Sequence, residues 1–101
     1  MQANMQLAND TLEVRLGRRL TFEDHERFRT ILKEYEGSAA KRLVFDMASL
    51  EYIDSAGLGM LLIARERADE CNGRLALLSP KGHVAKVLRL SKFDTLMDIS
   101  W

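Results

Sequence analysis

The sequence predicts an α/β fold, and three observations carry the prediction. Apolar runs such as RLVFDM (42–47) and RLALLS (74–79) are strand-sized, whereas 22–36, 56–70 and 84–90 repeat apolar residues at helical spacing. Strand and helix segments alternate along the chain, so the helices should serve as crossovers between strands that are partly parallel. No linker, repeat or low-complexity tract interrupts the 101 residues, which fits one domain with a single core.

From the start, MQLA (5–8) and TLEVRL (11–16) alternate apolar and polar residues around the turn-forming pair Asn9-Asp10 and predict a hairpin. The stretch from Gly17 to Leu20 leads to Thr21, with Asp24 three residues on, a capping hydroxyl and an acidic first turn. Phe28, Ile31, Leu32 and Tyr35 then predict a first helix over 22–36, closed by Gly37 as its C-cap. RLVFDM reads as a strand buried on both faces. SLEYI (49–53) runs into IDSAGLG (53–59), where a strand hands over to a second helix, 56–70, stopped by Asn72-Gly73. RLALLS ends at Ser79-Pro80. Val84, Val87 and Leu88 mark a third helix, and 97–99 reads as a short edge strand.

Composition removes several classes of function. Fifteen basic residues balance fifteen acidic ones, leaving no electrostatic footprint for nucleic acid or a membrane surface. The longest apolar stretch, 58–64, is far too short to insert into a bilayer. The first residues lack the basic and apolar regions of a secretory signal. The single cysteine, Cys71, has no internal partner and reads as packing near a helix end, as expected of a reducing, cytoplasmic setting. His25, His83 and Cys71 are too scattered for a metal site.

The segment IDSAGLG admits four readings. Asp54 or Ser55 before a helix is a preferred N-cap, and the glycines would let the helix start pack close to neighbouring backbone. A nucleotide cradle fails on spacing, because Gly57-Leu58-Gly59 is followed by Leu62 where a third glycine belongs. A catalytic serine fails as well: Ile53 stands where the nucleophile elbow needs glycine, and His25 and His83 read as solvated or partner-facing. The chain is therefore expected not to be an enzyme. A phosphoacceptor is the fourth reading. A phosphate on Ser55 would sit at a helix N-terminus, where free N–H groups favour anions, and would add negative charge to an exposed edge. Physical reasoning permits this last reading without selecting it.

Four stretches together, LVFDM, IDSAGLGMLL, LALLSP and VAKVLRLSKFDTLMDI, resemble a STAS domain of the bacterial anti-sigma factor antagonist group, over about 5–99. The resemblance implies a single STAS-type domain across 1–101, with a mixed sheet of four to five strands and helices packed against it. It implies that Ser55 is phosphorylated by an ATPase-type serine kinase that is also the anti-sigma factor. The unphosphorylated form would bind that kinase and free a sigma factor, and a phosphatase would reset the system. Asp54 would support the phosphoacceptor, and Gly57, Leu58 and Gly59 would form part of the docking edge. The protein itself would need no cofactor, since ATP belongs to the kinase. It would be a monomer when free.

Two departures refine this picture. Ala56 stands where many members carry a second hydroxyl, leaving Ser55 as the one acceptor in the motif. Phe22, His25, Phe28 and Arg29 form an F-x-x-H-x-x-F-R helix, like the subset paired with response-regulator-linked phosphatases or kinases. The expected docking surface joins Arg18, Thr21, Glu23 and His25 to Asp54, Ser55 and Leu58, while Met60 and Leu61 read as core. Similar stand-alone domains also act as fixed subunits beside the ATPase of a lipid-transporting ABC complex. That is the alternative role.

Overall fold

The structure is a computed structural model and describes residues 2–101, so of the domain expected over 1–101 only Met1 lies outside the described residues. The chain begins with a hairpin of β1 (Ala3–Ala8) and β2 (Thr11–Leu16). Asn9 and Asp10 both take positive φ, 50° and 65°, as a two-residue hairpin turn requires. A two-residue strand, β3 (Arg19–Leu20), and a 3-10 turn (Phe22–Asp24) lead into α1 (His25–Ser38). Then follow β4 (Arg42–Asp46), the two-residue β5 (Tyr52–Ile53), α2 (Ser55–Glu70), β6 (Arg74–Leu78) and α3 (Gly82–Leu90). A second 3-10 turn (Phe93–Thr95) and β7 (Asp98–Ser100) complete the order.

The main sheet has the order β1-β2-β4-β6-β7. β1 runs antiparallel to β2, and every other neighbouring pair is parallel. The sheet is therefore mixed, as expected, and its parallel strands all end on the same side. Alternation along the strands sends Leu12, Val14, Leu16, Leu43, Phe45, Leu75 and Leu77 to one face. There they form one buried cluster with Phe28, Ile31, Leu32 and Tyr35 of α1, Leu61 and Ala64 of α2, and Val84 and Leu88 of α3. Phe28 stacks on Phe45 with ring centroids 5.4 Å apart. The opposite face carries Glu13, Arg15, Asp46, Arg74 and Asp98, with the pairs Arg15–Asp46 and Arg74–Asp98 each at 3.5 Å. Val44 is buried on that second face, so β4 is buried on both, as its run of apolar residues implied.

Several details differ from the sequence reading. The first helix, expected from 22, starts at His25 after the 3-10 turn, and the third starts at Gly82, two residues before the expected 84. Gly37 lies inside α1, and the left-handed residue that ends the helix is Ala39, with φ 61°. Ser38 accounts for the extension: its hydroxyl donates to the Tyr35 carbonyl at 2.7 Å and accepts from the Ala40 N–H at 3.1 Å. The pair β3–β5 forms a separate two-stranded parallel sheet, too short to show any periodicity in sequence. The edge strand lies one residue later than expected, at 98–100, and Met97 is buried beneath it.

Candidate functional site: the strand-to-helix edge around Ser55

The small sheet builds the edge. Glu51 and Tyr52 donate their N–H groups to the Arg18 carbonyl, and Asp54 donates its own to the Leu20 carbonyl at 3.3 Å. These bonds bring the segment before α1 against the segment before α2. Asp54 then joins both helix starts through its carboxylate. Oδ1 accepts the Gly57 N–H at 2.7 Å, capping α2, and Oδ2 accepts the Phe22 N–H at 3.2 Å, at the 3-10 turn that opens α1. An acidic side chain at this position satisfies N–H groups that otherwise lack a partner and complements the helix dipole. Asp54 is therefore the cap.

Ser55 is left free for other chemistry. It is the first residue of α2, it is exposed, and its hydroxyl makes no hydrogen bond among the described residues. Neither histidine engages it: His83 stacks on Tyr52 at 5.3 Å, and His25 lines a groove between α1 and α2 with Phe28, Met60 and Ile63. Among the described residues no cluster of His, Cys, Asp or Glu is placed to hold a metal ion.

Gly57 shows why a glycine sits two residues further on. A Cβ there would lie 2.5 Å from the Leu20 carbonyl oxygen and 2.7 Å from Ile53 Cγ1, closer than real Cβ contacts. The helix start thus packs directly on β3 backbone, as the packing reading anticipated of Gly57 but not, as it turns out, of Gly59. Gly57→Ala is expected to cost about 1–3 kcal/mol through overpacking, seen as a lower midpoint in thermal or urea unfolding. Gly59 has open space around its Cα, so Gly59→Ala is the matched control that should leave stability unchanged or slightly raised.

The expected docking residues differ in exposure. Arg18, Glu23 and His25 are exposed, as is Ser55 at the first position of α2, and Arg18 is paired to Glu51 at 3.1 Å. Leu58 is half-buried and packs against the core. Thr21 and Gly57 are buried, so they shape the edge from beneath and present no side chain to a partner. Thr21 belongs to the support of α1: its N–H donates to Asp24 Oδ2 at 2.8 Å. Burial pushes the Asp24 carboxyl up, yet the hydrogen bonds it accepts, that of Thr21 among them, hold it below its ordinary value.

Other surface groups at the edge escaped the sequence reading. Phe22 is 69% exposed, although its backbone is fixed to Asp54. Leu62 is half-exposed and shares the Ser55 face of α2, which runs through 55, 59, 62 and 66 at helical spacing. Tyr52 carries His83 stacked on its ring, and the Arg19 guanidinium lies 5.6 Å from the ring centroid. An apolar residue just inside a helix start, here Phe22, was the signal available in the sequence. It reads equally well as a core residue.

The family model described as STAS domain matches residues 2–100. The chain is a STAS domain. A STAS-domain containing protein of Pseudomonas aeruginosa is 34% identical over 89 residues, 88% of this chain and 87% of that one. BtrV, a candidate anti-sigma factor antagonist of Bordetella bronchiseptica, is 33% identical over 60 residues, 59% of this chain and 52% of that one. Among solved structures, the anti-sigma factor antagonist SpoIIAA of Bacillus shares the fold in two forms. The unphosphorylated form gives a TM-score of 0.76 at 20% identity, covering 99% of this STAS domain and 88% of that chain. The phosphorylated form gives 0.75 at 22%, covering 99% and 92%. Among the described residues no helix of this STAS domain is long and apolar enough to cross a membrane.

Proposed function

We propose that this STAS domain is an anti-sigma factor antagonist whose binding is switched at Ser55, and that it is a binding module rather than an enzyme. The observation that carries the reading is the division of labour at the start of α2, where Asp54 makes the cap and the Ser55 hydroxyl is exposed and unbonded. A hydroxyl with no structural duty is open to an incoming phosphoryl group. In the proposed reaction an ATPase-type serine kinase transfers the γ-phosphoryl of ATP to Ser55 Oγ, the hydroxyl proton leaves to a base on the kinase, and ADP departs. A phosphatase, of the response-regulator-linked kind implied by the α1 motif, returns the hydroxyl by hydrolysis.

Charge supplies the switch. The unphosphorylated edge offers Phe22, Leu62 and the Gly59 surface to the kinase, which is also the anti-sigma factor, and the captured kinase releases its sigma factor. A phosphate adds about −1.5 to −2 charges beside Asp54. A partner closing over that edge would then bury a poorly paired anion, which is strongly unfavourable. The fold has no reason to change, since a helix N-terminus accommodates an anion. In keeping with that, this chain matches the two forms of SpoIIAA to nearly the same degree.

Two baits, Ser55→Ala and Ser55→Glu, test the reading in native lysate, with bound proteins identified by mass spectrometry. The expected result is an ATPase-type kinase on the Ala bait and its loss from the Glu bait, together with a phosphate on Ser55 of the wild-type protein recovered from cells. Retention of one transporter ATPase by both baits would instead make the protein a fixed transporter subunit and overturn the switch.

A further inference from the structure

We propose that this chain forms a two-fold dimer through β1, whose outer edge pairs antiparallel with the same strand of a second copy. The two edges of the main sheet are built differently. β7 is three residues long and carries Asp98, which is paired to Arg74. That edge is short and charged, as edges that must avoid pairing usually are. β1 is six residues long, ANMQLA, with no charge, proline or glycine, and among the described residues it pairs only with β2. Nothing guards it.

Its side chains point to the same conclusion. Ala3, Met5 and Leu7 lie opposite Leu16, Val14 and Leu12, so they occupy the face that carries the core. The three β2 residues are buried, yet Met5 is 36% and Leu7 56% exposed. The apolar layer therefore runs past the helices and stops at an uncovered margin. On the other face β1 shows only Asn4, Gln6 and Ala8.

Such a strand is complementary to itself. With the two-fold axis at Gln6, each Met5 faces the Leu7 of the second copy, and each Asn4 faces its Ala8. Apolar side chains meet on one face, uncharged ones meet on the other, and no charge confronts its own copy. Cross-strand apolar pairs of this kind add to the ladder of backbone bonds. A second copy meets every requirement of the edge at once, and a two-fold pairing closes the assembly at two chains. The dimer replaces the monomer expected from sequence. Because the axis reverses strand direction, the two Ser55 edges point to opposite ends of a ten-stranded sheet, and each dimer offers two separate docking edges.

Sedimentation of the purified full chain at roughly 100 µM, where an association of micromolar Kd is nearly saturated, should give twice the 11.5 kDa of one chain. Leu7→Lys, at an exposed position and checked for native circular dichroism, should weaken the association at least tenfold. In a Cys71→Ser background, Gln6→Cys should form an intermolecular disulfide on mild oxidation, and Asp98→Cys should not. A wild-type chain that sediments as a monomer would overturn the proposal. So would a dimer that Leu7→Lys leaves intact and Asp98→Cys cross-links, since the contact would then lie on another face.

Discussion

Asp54→Ala should lose about 2–3 kcal/mol of stability, the sum of a lost helix cap and a second charged hydrogen bond. Both Asp54 oxygens are occupied, one by the Gly57 N–H and one by the Phe22 N–H, so truncation releases two helix starts together. For a domain of this size that corresponds to a fall of roughly 10–20 °C in Tm. Asp54→Asn separates capping from charge, because asparagine caps about as well as aspartate. The Asn variant should recover the part of the lost Tm that belongs to the α2 cap, about half, since its one oxygen can accept the Gly57 N–H while its amide nitrogen cannot accept that of Phe22. If it does and is still phosphorylated more slowly at Ser55, Asp54 supports the acceptor through its charge. An Asn variant phosphorylated at the wild-type rate would confine Asp54 to the cap.

Phe22→Ala should lower affinity for the partner kinase by about 2 kcal/mol, or roughly thirtyfold, as expected when an aromatic anchor is removed from an interface centre. Its ring is 69% exposed, so little packing within the domain is lost, and stability should stay within about 0.5 kcal/mol of wild type. The control is Leu90→Ala, which removes a side chain 74% exposed at the end of α3 and lying outside the proposed surface. Titration of each variant in the Ser55→Ala background, against the kinase captured by that bait, isolates the effect from phosphorylation. Equal binding by wild type and Phe22→Ala would remove the aromatic anchor from the interface and shift the docking surface toward Leu62 and Gly59.

The fold was legible where residues repeat. Alternation in β1 and β2, the apolar run of β4 and the helical spacing of Phe28, Ile31, Leu32 and Tyr35 each extend over enough residues to show a period. The pair β3–β5 was not legible, since two residues carry no period and the pairing joins segments more than thirty positions apart. The end of α1 was misplaced for a local reason: Ser38 bonds to the Tyr35 carbonyl and carries the helix past Gly37. At the candidate site the motif gave Asp54 and Ser55 as alternative caps, and only geometry separates their duties. Phe22 escaped because its ring is exposed while its backbone is held, and a hydrophobic letter in a sequence does not say which part is fixed.

At the start of α2 the frame and the exposed hydroxyl belong to different residues. Residues 54 and 57 are held by contacts within the domain, the one through two backbone N–H groups and the other by the lack of room beneath it. The Ser55 hydroxyl is held by no hydrogen bond among the described residues. Under the proposed switch, replacing Ser55 by alanine or by an acidic residue would fix the protein permanently in its binding or its released state without disturbing the fold. On that reading a lineage would convert a reversible device into a constant one, and back again, at one position, with the frame around it untouched.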